Sequence, residues 1–190
     1  MHPESMFGWP TRTDNDPARV ALLLPGRAYV PARPLLHYAK TVLTAHGWTT
    51  QEVWWQPPDL PPDDYPTWVI DQVTRYVEQE VDARRVLLVG KSLASFAASV
   101  AADRDLPAIW LTPLLHHPQV TGALRRAKAR TLLVGGTADT AWKSEVARSL
   151  PVEHLEVPGA DHGLETRNPV GSAEVLARVT AAMESFVRNL

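Results

Sequence analysis

Cysteine is absent from these 190 residues, which excludes disulfide cross-links, a thiolate nucleophile and every zinc site built on cysteine. Also missing is any apolar run of the roughly 18 residues that a membrane-spanning helix requires. Neither charge sign is in excess. Against 19 Lys and Arg stand 21 Asp and Glu, a formal net charge of −2, so nothing electrostatic favours nucleic acid or an anionic membrane. The first ten residues have neither the basic start nor the apolar block of a secretory signal, which leaves cytoplasm as the default expectation. The length is that of one domain with a sizeable core. Residues 1–18 read as an N-terminal arm and 19–190 as that domain.

What is present is an alternation of short apolar runs and amphipathic stretches. The spacing predicts strands at 20–24, 50–55, 86–89, 108–111, 131–134 and 152–157. Helices are predicted at 34–45, 65–81, 93–102, 120–128, 141–150 and 172–187. In the second of these, Trp68, Val69, Val73, Tyr76, Val77 and Val81 fall on one helical face. The proline-rich segment 56–64 can be neither helix nor strand and reads as a loop. Six apolar strands alternating with helices imply an α/β fold, a doubly wound, mostly parallel six-stranded sheet with helices on both faces.

The third strand carries the strongest local signal. Val86-Leu87-Leu88-Val89 runs into Gly90-Lys91-Ser92-Leu93-Ala94, the outline of G-x-S-x-G with Ala94 in the final glycine place. In that motif a strand turns so sharply into a helix that the serine is strained and its hydroxyl stands above the sheet. Small residues flank the serine because larger ones would collide as the arms close. By itself the segment also fits a serine capping a helix. A phosphate loop of the form G-x-x-x-x-G-K-[ST] is excluded, because Arg85 occupies its first glycine and residues 86–89 are strand rather than flexible loop.

The downstream order favours the nucleophile. The strand at 131–134 leads to Gly135-Gly136-Thr137-Ala138-Asp139, and the strand at 152–157 leads to Pro158-Gly159-Ala160-Asp161-His162-Gly163. A serine, an acid and a histidine thus follow three separate strands in the chain order Ser, Asp, His. On these residues the sequence resembles the α/β-hydrolases, specifically their small members without a lid domain, over roughly residues 20–190.

That resemblance implies Ser92 as nucleophile, His162 as its base and Asp139 as the group that orients the imidazole. It implies the spatial strand order two, one, three, four, five, six, which sets the loop Pro25-Gly26-Arg27-Ala28-Tyr29 beside the serine. Relatives often carry His-Gly there, and an amide after the glycine joins the amide after the serine in an oxyanion hole. Here those donors are the N–H groups of Leu93 and Arg27, with Ala28 as the alternative, although Pro25 stands where the histidine would be. Asp161 and Glu165 are the other acids near His162. Only one loop and one helix fit between Thr112 and Arg130, so no lid is expected and the site should be open, suited to small acyl groups.

Tyr29 and Trp142 are the expected substrate-contacting side chains, and His116 and His117 are candidates for the pocket rim. Two adjacent histidines without further ligands do not make a metal site, so neither metal nor cofactor is expected. The expected activity is that of a serine hydrolase on a small-molecule ester or thioester through an acyl-enzyme. A peptidase or acyltransferase would use the same machinery, and a noncatalytic protein of hydrolase-like fold is the alternative from a different class. Oligomeric state is not legible in the sequence.

Overall fold

The computed structural model describes residues 8–80 and 82–190. Residues 1–7 of the expected arm, and Val81, counted above on the apolar helix face, lie outside the described residues. The elements are β1 (Arg12–Thr13), β2 (Asp16–Leu24), α1 (Pro34–Ala45), β3 (Trp48–Glu52), α2 (Tyr65–Gln79), β4 (Arg85–Lys91), α3 (Ala98–Asp103), β5 (Ala108–Leu111), α4 (Pro118–Arg126), β6 (Thr131–Gly136), α5 (Ser144–Ser149), β7 (Glu153–Val157) and α6 (Pro169–Arg188). Short 3₁₀ segments, Pro62–Asp64 and Ser92–Ala97, precede α2 and α3.

Strand order is β1-β3-β2-β4-β5-β6-β7. Every neighbouring pair from β3 to β7 is parallel. The six expected strands therefore stand in the expected order, and the structure adds one at the edge. Arg12–Thr13 pairs antiparallel with β3, and β2 begins at Asp16, so residues of the arm's second half join the sheet. This edge covers a polar strand: Thr49, Thr50, Gln51 and Glu52 are all buried. The Thr11 hydroxyl accepts from the Gln51 amide at 3.1 Å, and the Glu52 carboxylate pairs with Lys40 at 2.8 Å.

Two apolar layers sandwich the sheet, as strand alternation requires. Val20, Leu22, Leu24, Val86 and Leu88 face α2, α3, α4 and α5. Ala21, Leu23, Leu87 and Val89 face α1 and α6. Proline at the first turn sets where α1, α4 and α6 begin, since its fixed φ suits the helix and its missing N–H would be unpaired there anyway. That is why α4 and α6 start two and three residues before their apolar periodicity does, at Pro118 and Pro169. The expected helix 93–102 is two pieces, the 3₁₀ turn Ser92–Ala97 and then α3.

Candidate active site

Ligands of a doubly wound sheet collect at the carboxyl ends of its strands, and β4, β6 and β7 deliver the three expected groups to that edge. At the end of β4 the chain turns in a sharp elbow at Ser92, whose φ of +52° lies in the left-handed region. Such a backbone costs an L-residue about 1–3 kcal/mol and persists only where the surroundings enforce it. Close packing limits what can flank Ser92. A Cβ on Gly90 would stand 2.5 Å from the Trp110 ring and 3.0 Å from the Ala94 methyl. Glycine is required at 90, and because it is there, alanine fits at 94.

His162 meets both partners. Its Nε2 lies 2.7 Å from Ser92 Oγ and its Nδ1 lies 2.8 Å from Asp139 Oδ2. A carboxylate only accepts, so Nδ1 carries the proton and Nε2 is left to accept from the serine hydroxyl. Asp139 is buried, and its other oxygen accepts from the Ala141 amide at 2.8 Å. Burial pushes the Asp139 pKa up, but the hydrogen bonds from His162 and Ala141, with the charge of Lys91, more than offset it and hold the carboxyl below its ordinary range. Asp161 points elsewhere. Its carboxylate accepts the amides of Gly163 at 2.7 Å and Glu165 at 3.0 Å, and so shapes the loop that carries the histidine.

Lys91 is the residue the sequence reading passed over. Strand alternation puts it on the same buried face as Leu87 and Val89, and it is 2% exposed. Its ammonium donates to the His162 carbonyl at 2.8 Å and to Thr112 Oγ1 at 2.5 Å, and lies 5.0 Å from the Tyr29 ring centre. The lysine thereby ties the histidine loop to the strand that carries the serine. Burial lowers its pKa to about 8, against the opposing pull of Asp139 and Asp161. The signal was available: a lysine at the last position of a buried strand, directly before the serine, has no solvent to point into.

A cavity of about 360 Å³ opens over Ser92 and His162, walled by Gly26, Arg27, Tyr29, Arg33 and Glu165. Leu24 pairs with Gly90, so the loop after β2 runs beside the elbow, and Gly26 packs against Lys91. Arg27 is thus placed at the cavity, and Leu93 is the second residue of the 3₁₀ turn, where backbone N–H groups lack partners within the turn. Tyr29 lines the cavity, its hydroxyl fixed by the Leu35 amide at 2.9 Å.

Trp142 does not line it. The turn closed by the Trp142 amide on the Asp139 carbonyl at 3.2 Å sends the indole back over Gly135. There the ring is 4% exposed, and Nε1 donates to Glu156 at 2.7 Å. It is a core side chain rather than a pocket wall. His117 likewise packs edge-on against Phe96 rather than at the cavity. A second cavity of about 380 Å³ lies between Arg85, Leu106 and Arg130 at the opposite, amino-terminal edge, far from the serine and histidine. Among the described residues no group of three or more histidines and carboxylates is placed to hold a metal, and no helix is long and apolar enough to cross a membrane.

No family model and no curated protein matches the chain. Solved structures do. Est1E from Butyrivibrio proteoclasticus, with ferulic acid bound, superposes with a TM-score of 0.72 at 14% identity, over 94% of this chain and 93% of that one. An alpha-beta serine hydrolase homologue from Coxiella burnetii gives 0.68 at 18% identity, over 94% and 87%. XC6422 from Xanthomonas campestris, a serine hydrolase without lid, gives 0.62 at 14%, over 93% and 83%. At these identities the likeness establishes architecture: the chain has the α/β-hydrolase fold in its small form, with α4 alone between β5 and β6 where a lid would be inserted.

Two outcomes are expected of the elbow. Gly90→Ala should destabilise the fold by about 1–3 kcal/mol through overpacking against Trp110, read as a lower urea midpoint. The lysine gives a pH signature. Its pKa is lowered in the fold from an ordinary 10.5 to about 8, so between those values the unfolded chain binds more protons and stability rises with pH. Wild type should therefore gain stability relative to Lys91→Met from pH 8 to 10; parallel pH profiles would refute the burial of a titrating lysine.

Proposed function

We propose that the protein is a serine hydrolase that cleaves a carboxylic ester or thioester of a small acyl substrate through an acyl-enzyme. The observation that carries this is the continuous hydrogen-bonded relay from Asp139 through His162 to a serine held in a strained turn. Neighbouring structures described as an alpha-beta serine hydrolase homologue and a serine hydrolase without lid support it.

In the reaction the Ser92 oxygen attacks the acyl carbon while its proton passes to His162 Nε2. Asp139 keeps the ring in the required tautomer and stabilises the imidazolium without taking its proton. The amides of Leu93 and Arg27 hold the tetrahedral oxyanion, each such donor being worth about 10²–10³ in rate. Collapse breaks the bond to the alkoxide or thiolate, which leaves with the proton from His162. Water then attacks the acyl carbon and gives its proton to His162; collapse breaks the bond to Ser92 Oγ, which takes that proton back from His162 as the carboxylic acid leaves. No metal or cofactor takes part in this scheme. Tyr29 forms one wall for the substrate, and the cavity of about 360 Å³ suits a small one. We place the protein in the cytoplasm.

A fluorophosphonate probe should label wild type and leave Ser92→Ala unlabelled. With short p-nitrophenyl esters, Ser92→Ala and His162→Ala should each lose about 10⁶ of kcat. Asp139→Asn should lose about 10⁴, because the amide favours the wrong tautomer. Labelling that survives in Ser92→Ala, or an unreactive wild type, would overturn the assignment.

A further inference from the structure

The charges around the cavity are uneven in a chain whose net charge is −2. Arg27, Arg33 and Lys91 line it against a single carboxylate, Glu165. Lys91 is already committed, to the His162 carbonyl and Thr112, with Asp139 close enough to lie within its field. The arginines are not. Neither guanidinium has an ion pair or hydrogen bond among the described residues, whereas those of Arg12, Arg104, Arg126, Arg130 and Arg148 each face a carboxylate.

Each guanidinium instead rests on an aromatic face, Arg27 at 5.0 Å from the Tyr65 ring centre and Arg33 at 5.4 Å from that of Tyr29. Stacking of this kind fixes the plane of the fork and leaves its N–H edges free for a planar anion. Arg33 also immediately precedes α1, whose first turn has no acidic residue to neutralise it. Lys91 lies in the field of both Asp139 and Asp161 beneath the cavity, so the excess of positive charge sits at the lining itself, where two arginines face Glu165.

We propose that the substrate carries a carboxylate, separate from the bond that is cleaved, which Arg27 and Arg33 bind while Ser92 attacks. The inference rests on the hydrolase reading and adds a substrate class to it. A carboxylate matches the excess of arginine over carboxylate at the lining and the bidentate geometry of a guanidinium. Glu165 would repel the same group and so bias where in the cavity it settles.

The test compares matched esters that differ only in charge. One pair carries it on the leaving group, 4-carboxyphenyl butyrate against 4-carbamoylphenyl butyrate. The other carries it on the acyl chain, the p-nitrophenyl monoester of adipic acid against its ω-amide. Wild type should favour the carboxylate member of one pair by about tenfold in kcat/KM at low salt, the scale of a charged hydrogen bond at a partly exposed site. The preference should shrink as ionic strength rises. Arg33→Gln should collapse the ratio and Glu165→Gln should raise it, opposite signs that general damage to the fold cannot produce. Equal turnover within both pairs, or a ratio unmoved by Arg33→Gln, would overturn the proposal while probe labelling left the hydrolase intact. Absence of both labelling and turnover would overturn the two together.

Discussion

The register of the parallel strands is the constraint on which this molecule depends. Gly90, Trp110, Leu133 and His154 lie level across β4, β5, β6 and β7. In that register the bare backbone of Gly90 receives the Trp110 ring, the turn at Ser92 can close, and the loops after β6 and β7 reach the serine from one side. A slip of one residue would turn every side chain of a strand to the opposite face. Lys91 would then leave its buried partners, and Gly90 would no longer lie under the tryptophan. Strain at Ser92 and the hydrogen bonds of His162 are consequences of this pairing.

Charge is arranged around the relay in two shells. Inside, Lys91 and Asp139 are buried ions that sit within each other's field, and the lysine also joins the histidine loop to β4 through a backbone carbonyl. Outside, two stacked arginines and Glu165 rim an open cavity. Removing one partner of the inner pair would leave a buried charge uncompensated, which is the costly case.

Much of this was legible from residue spacing. The convergence of Ser92, Asp139 and His162 follows from local motifs at strand ends, where the permitted residue types are few, and the strand order follows from the resemblance those motifs carry. Trp142 was not legible, because whether a side chain three residues past Asp139 faces the cavity or the core depends on the direction of a turn, and here room over Gly135 decides it. The edge strand escaped because two polar residues, Arg12 and Thr13, carry no alternation to detect. Lys91 is hidden for the opposite reason: Gly90-Lys91-Ser92 matches the end of a phosphate-loop pattern, which masks the buried face that Leu87 and Val89 imply for the lysine.

The central claim is that Ser92 becomes covalently acylated during turnover. Acid-quenching a steady-state reaction with a slowly deacylated p-nitrophenyl ester, then mapping the peptides by mass spectrometry, tests this directly. The account predicts one acyl group per chain, on Ser92. Sustained turnover with no acylated peptide, or with the acyl group on another side chain, would contradict it.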